Sequence, residues 1–210
     1  MGFTAADLKA AAGAVAQAAT AARDELNAQD GKLGDGDLGI TVANGFAAVA
    51  EDAAGFGDDL GQAFLGCSKA FQRVSSSSFG TLVATAFMSA AKATKGRNDA
   101  EWSEISAIVA GARDAMLARG RGELGAKSVL DSLDAIAKAT AGLADPVAIL
   151  AAADGAATAA LDEFRDQPNR LGRARMFGDK TVGLDDPGML AVRRLLDGLT
   201  HPSVGSPSAS

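Results

Sequence analysis

Apolar residues recur three and four positions apart over most of this chain. Leu8, Ala11, Ala12, Val15, Ala18, Ala19, Ala22 and Leu26 form one such stripe, and Thr4 followed by Asp7 supplies a capping-box start for it. The spacing predicts a first helix ending near Asn27, because Gly31, Gly34 and Gly36 follow. Further helices are predicted over residues 38–53, 59–73, 79–94 and 101–119, the last turning Trp102, Ile105, Ile108, Val109, Ala112 and Met116 inward. Val129, Leu133 and Ile136 set the spacing of a helix over 128–141. Asp145-Pro146 reads as an N-cap followed by proline at the first helical position, opening a helix to about Arg165. A polar, glycine-bearing stretch then runs to Asp186, and Pro187 opens a last helix carrying Leu190, Leu195, Leu196 and Leu199. No run alternates with the period of a strand, so the predicted fold class is all-α with about eight helices. Nothing repeats and no long linker divides the chain. One domain is expected over 1–201, followed by a disordered tail rich in Ser and Pro over 202–210.

Composition sharpens this picture. The 210 residues are 48% hydrophobic, much of that alanine, with 5% aromatic residues and no tyrosine. Alanine is the best helix former and a poor strand former, so helices packed closely through small side chains are expected, within one chain or across a homodimer. The net charge of −6 speaks against a nucleic-acid partner, which needs a basic face. It leaves a nucleotide open, since a divalent metal neutralises phosphates locally. The single cysteine, Cys67, lies in an apolar helical pattern and reads as a small core residue rather than a reactive thiol. The N-terminal apolar stretch lacks a basic start and carries Asp7 and Lys9, and no uncharged run approaches the roughly 20 residues of a membrane span. A cytoplasmic protein with no membrane partner is expected. His201 sits at the edge of the tail and carries no functional assignment.

Chemistry concentrates at the joints between helices. Asp30, Asp35 and Asp37 fall within eight positions, separated mainly by glycine. Three carboxylates this close repel one another, and a hard divalent cation removes the conflict; a solvated Asp/Gly loop is the equal alternative on spacing alone. An EF-hand is excluded, because counting from Asp35 puts Gly39 and Phe46 where ligands are required. Residues 38–41 should start a helix whose free N–H groups suit an anion. A second joint, Ser75 to Thr81, sets serines and Gly80 at a helix start, as a phosphate cradle or a plain serine cap. A third, Gly120 to Ser128, nearly spells a P-loop, but Ala126 intrudes before Lys127 and no strand precedes it. The fourth pairs Gly172-Arg173-Ala174-Arg175 with Asp185-Asp186-Pro187-Gly188, joining arginines fit for phosphate to an ordinary helix start.

Taken together, these four joints resemble the nucleotide-binding L subunit of dihydroxyacetone kinase, the DhaL domain. The likeness runs from Leu8 to Leu199 and is most specific over Leu33-Gly34-Asp35-Gly36-Asp37-Leu38-Gly39-Ile40-Thr41, with Asp30 upstream. Ser78-Phe79-Gly80, Gly125-Ala126-Lys127-Ser128 with Asp131, Gly172-Arg173-Ala174 and Asp186-Pro187-Gly188 follow in family order. The resemblance implies an antiparallel barrel of eight helices with the nucleotide among the interhelix loops at one end. It implies that Asp30, Asp35 and Asp37 bind two magnesium ions on the phosphates of ATP or ADP. Leu38, Gly39, Ile40, Thr41, Ser78, Phe79, Gly120, Val129, Arg173, Asp185, Asp186 and Pro187 would surround that nucleotide. The ketose would be held by a separate K-type subunit, so this chain would be half of a kinase, active only with that partner. The donor would be exchangeable ATP, or an ADP that stays bound and is rephosphorylated by a phosphocarrier protein of the phosphotransferase system. The chain departs from the family at Leu38 and Leu184, which replace frequent histidines, at Ala126, which replaces a carboxylate, at Ser76, Ser77 and Ser78, which replace a Gly-rich segment, and at Phe79, which replaces a small residue. A non-catalytic nucleotide sensor of the same fold is the alternative these departures raise.

Overall fold

The computed structural model describes residues 2–200; the predicted tail and His201 lie outside them. Among the described residues nine α-helices account for most of the structure: α1 (Ala5–Ala21), α2 (Arg23–Leu33), α3 (Leu38–Ala53), α4 (Leu60–Val74), α5 (Ser78–Ala93), α6 (Ile105–Gly120), α7 (Val129–Ala139), α8 (Pro146–Arg165) and α9 (Pro187–Thr200). The all-α prediction holds. The helix starts follow their predicted chemistry. Thr4 and Asp7 form the capping box of α1, and Asp145 caps α8 through the amide of Ala148 with Pro146 in the first turn.

The structure corrects the sequence reading at four places. The first helix does not stop near Asn27. A single residue, Ala22, interrupts it, and α2 carries on to Leu33, so Gly31 is helical and Asp30 stands in the last turns of α2 rather than in a loop. Glycine weakens a helix by only about 1 kcal/mol, and Leu26 and Leu33, both buried, outweigh that by packing. Second, Trp102–Glu104 form a 3₁₀ turn closed by a Glu101–Glu104 capping box before α6 begins. Third, two short strands exist, β1 (Phe3–Thr4) and β2 (Asp99–Ala100), paired antiparallel. Two-residue strands leave no periodicity to read. Fourth, the polar stretch after α8 contains a 3₁₀ segment, Ala174–Thr181, kinked at Gly178.

Each helix packs on its neighbours in a closed ring. From α1 the sequence of contacts passes through α3, α4, α5, α6, α7 and α8 to α9, and α9 returns to α1. The α1–α2 rod acts as one member, so the ring has eight, and successive members run antiparallel, most of them over short connections. Every second connection therefore falls at the same end. The joints 34–37, 75–77, 121–128 and 166–186 share one end, while the β1–β2 ribbon marks the other.

Small residues make the ring tight. A Cβ on Gly45 would lie 2.2 Å from the Phe71 ring, which is itself fully buried and meets Phe46 edge to face. Cys67 is buried in the same core, and burial pushes its thiol up to about 12, as expected of an inert packing residue. No helix among the described residues is long and apolar enough to cross a membrane.

Candidate functional site

The α2–α3 joint is built around Asp30. Its Oδ2 accepts hydrogen bonds from the amides of Gly36 at 2.9 Å, Asp37 at 3.1 Å and Leu38 at 3.4 Å, which wraps the loop around one carboxylate. Two glycines permit this. Gly36 adopts φ +76, and a Cβ on Gly34 would meet Asp30 Oδ1 at 2.7 Å. Asp37 stands at the N-cap of α3 but makes no capping bond, which leaves its carboxylate to the cluster. Oxygens of Asp30, Asp35 and Asp37 come within 4.8 Å of one another, near the roughly 4 Å span between opposite ligands of one magnesium. Burial, then the charges of Asp35 and Asp30, push Asp37 above the usual carboxylate range. Arg173, from the far connection, pairs with Asp35. An all-oxygen donor set with crowded charge fits a hard divalent cation.

The amides at the start of α3 are less free than expected. Leu38 N–H goes to Asp30, Ile40 N–H to Asn27 Oδ1 at 3.2 Å, and Thr41 N–H to the carbonyl of Asp37. Gly39 turns away altogether, packed so closely on α2 that a Cβ would fall 1.9 Å from the carbonyl oxygen of Arg23. Leu38, Ile40 and Thr41 do face the cavity described next.

That cavity, of about 930 Å³, opens between the four joints of this end. Asp30, Asp35 and Asp37 line one side, together with Ser78 and Phe79. Ser77, not Ser78, caps α5, its Oγ accepting from Gly80 N at 3.0 Å, so the amides of Ser78 and Phe79 keep no helical partner. Gly120, Val129, Arg173, Asp186 and Pro187 also line the cavity. Asp185 does not: its carboxylate accepts from Arg165 Nε at 2.7 Å outside the cavity. Of the twelve residues assigned to nucleotide contact, Gly39 and Asp185 are thus placed elsewhere.

Several lining residues escaped the sequence reading. Asn44 lies one turn beyond Thr41 on the same face of α3, a spacing that was available as a signal. Leu82, Met116, Leu130 and Leu171 add an apolar wall beside Val129, contributed by separate elements and invisible to local motifs. Arg119 adds positive charge, beside Arg175 of the fourth joint.

The near-P-loop behaves differently from its namesake. Ala126 is fully buried and off the cavity, so its lost carboxylate removes nothing from the lining. Ser128 caps α7 in a box with Asp131, whose Oδ2 accepts from Ser128 N at 2.8 Å. Lys127 points inward to main-chain carbonyls. Asp186 is buried at the start of α9 and accepts from Met189 N at 2.9 Å and Asn169 Nδ2 at 2.8 Å. Burial raises it from 3.8 to about 6 despite those bonds.

Comparisons with known proteins agree with this architecture. The DAK2 domain model matches residues 32–201, beginning two residues after Asp30. The chain is 29% identical over 173 residues to the PEP-dependent dihydroxyacetone kinase, ADP-binding subunit DhaL, of Escherichia coli K12, covering 80% of this chain and 82% of that one. It is 34% identical over 183 residues to the L-erythrulose 1-kinase of Mycolicibacterium smegmatis, covering 83% of this chain but only 32% of the relative. The crystal structure of the C. freundii dihydroxyacetone kinase in complex with AMP-PNP and Mg2+ superposes with a TM-score of 0.71 at 22% identity, over 96% of this chain and 35% of that one. The chain thus spans about a third of the two longer proteins and shares the fold of the matching part of the C. freundii structure. With the family model covering most of its length and the helix barrel in place, the chain belongs to the DAK2 domain family.

Proposed function

We propose that this chain is the nucleotide-holding subunit of a kinase acting on a ketose of the dihydroxyacetone type, with ATP as donor. The observation that carries the reading is the convergence of Asp30, Asp35 and Asp37 on one wall of a cavity of about 930 Å³ with an apolar wall at Val129 and Leu130. That volume and mixture of surfaces suit a nucleotide, whose base is apolar on its faces and whose phosphates need cations. Asp30, Asp35 and Asp37 would hold two magnesium ions. A metal held there would supply the charge neutralisation that phosphoryl transfer needs.

The protein's own part is positioning. Asp30 orders the loop while presenting its second oxygen, Ser78 and Phe79 offer free amides, and Arg173 exchanges Asp35 for phosphate oxygens. Leu38, Ile40, Thr41, Gly120, Val129, Asp186 and Pro187 shape the walls. The acceptor ketose belongs to a K-type partner subunit, which also supplies the base. In the two longer relatives the remaining two thirds of the chain is the natural place for that function.

A second donor route has its own support. The Escherichia coli relative is named as PEP-dependent and ADP-binding, which favours an ADP that stays in the cavity and is rephosphorylated by a phosphocarrier protein. Reconstitution separates the two. The purified chain is mixed with a K-type subunit, dihydroxyacetone or erythrulose, magnesium and ATP. Ketose phosphate without any phosphocarrier is the expected product. Product only when PEP and phosphocarrier proteins are added establishes the second route, and no product under either condition defeats the kinase reading.

A further inference from the structure

Lys127 is only 1% exposed, and its backbone sits in the left-handed region at φ 61, a costly place for a residue with a side chain. Its ammonium donates to three main-chain carbonyls: Arg165 at 2.9 Å, Gln167 at 2.8 Å and Thr181 at 2.8 Å. A lysine ammonium has three hydrogens, so this set uses all of them. The partners all belong to the end of α8 and the connection that follows it.

Further hydrogen bonds run between the same two segments. The carbonyl of Lys127 accepts from Asn169 Nδ2 at 2.8 Å, and that amide also donates to Asp186. Ala126 accepts from Arg170 N at 2.9 Å. The stretch 125–127 is thereby stitched to the connection 166–186, whose own structure is one kinked 3₁₀ segment. A segment with so few regular hydrogen bonds takes its shape from outside. The same connection carries Arg173 and Asp186 to the cavity.

We propose that Lys127 is a positioning residue for the nucleotide: its buried ammonium gathers the 166–186 connection so that Arg173 reaches the phosphate end of the cavity and Asp186 lines its wall. The proposal rests on the nucleotide-binding reading given above. It explains why a sequence close to a P-loop places its lysine away from the cavity. The charge acts on the protein's own carbonyls, and through them on Arg173.

Calorimetric titration of Mg-ADP into the wild-type chain and Lys127→Met tests this, with Mn2+ alone as a second probe. Methionine keeps most of the length of the side chain and removes the donors. The variant should bind Mg-ADP at least about tenfold more weakly, the usual cost of losing charged hydrogen bonds, and bind Mn2+ at the α2–α3 joint as the wild type does. Trypsin should cut the variant faster at Arg170, Arg173, Arg175 or Lys180 and no faster elsewhere. Adding Arg173→Gln to Lys127→Met should cost little more than Lys127→Met alone, since one acts through the other. Unchanged Mg-ADP affinity, equal loss of Mn2+ binding, or full additivity with Arg173→Gln overturns the proposal. Should Lys127→Met not fold, Lys127→Gln, which keeps two N–H donors, enters the same comparison under the same criteria. A wild-type chain that binds no Mg-ADP defeats the nucleotide reading instead, and is recognised before any variant is made.

Discussion

Asp186 stands at the start of α9 with its carboxylate buried, and burial raises its pKa to about 6. The folded value lies above the ordinary 3.8, so the native state holds this proton more tightly than the unfolded chain. The stabilisation is fully present below about pH 4 and is lost as pH rises through about 6. A shift of this size amounts to about 3 kcal/mol at most. Replacing Asp186 with Asn removes the titration, so wild-type stability measured relative to that variant by urea unfolding should fall between pH 4 and 6. A constant difference over that range refutes the assignment. The three clustered aspartates carry the opposite lesson about legibility. Their proximity in sequence was visible, but whether the loop was a metal site or a solvated turn was not. Only the three amides that converge on Asp30, and the uncapped Asp37 beside it, turn the spacing into a geometry.

At the scale of elements, α2 and α3 interlock through Gly39. Its missing Cβ is the space occupied by the carbonyl of Arg23, while Asn27 reaches across to the amide of Ile40. Gly39→Ala must therefore separate the two helices, at about 3 kcal/mol or enough to prevent folding. Gly155, inside α8, has nothing within 4 Å of its Cβ position, and Gly155→Ala should stabilise by about 0.5–1 kcal/mol. Thermal or urea unfolding of the two variants checks both signs; equal effects would contradict the packing described. Helix starts were the most readable elements, because Thr4, Ser128 and Asp145 act on amides a few residues away. The end of α2 was not. Its extension past Gly31 depends on tertiary burial of Leu33, and the connection 166–186 owes its form to Lys127 and Asn169, whose bonds join residues distant in sequence.

At the scale of the whole molecule, an eight-membered antiparallel ring puts alternate connections at one end. Four weak motifs, spread along the chain, thereby become one cavity. This is why the fold class and the order of the motifs were legible while the apolar wall of Leu82, Met116 and Leu171 was not: that wall exists only once the ring closes. The same topology leaves the proposed metal ligands open at the barrel's rim, where a partner can present an acceptor. Alone, the chain should turn over neither ATP nor ketose at a rate above background, and a K-type subunit should restore turnover in a coupled assay. Steady ketose phosphorylation by the isolated chain would contradict the division of labour. The central claim is that Asp30, Asp35 and Asp37 hold the nucleotide through metal. Its most direct test is calorimetric titration of ATP into the wild-type chain with magnesium or with EDTA, and into Asp35→Ala and Asp37→Ala with magnesium. Binding that requires magnesium and disappears in both variants is the predicted result; equal affinity in EDTA, or in either variant, would contradict it.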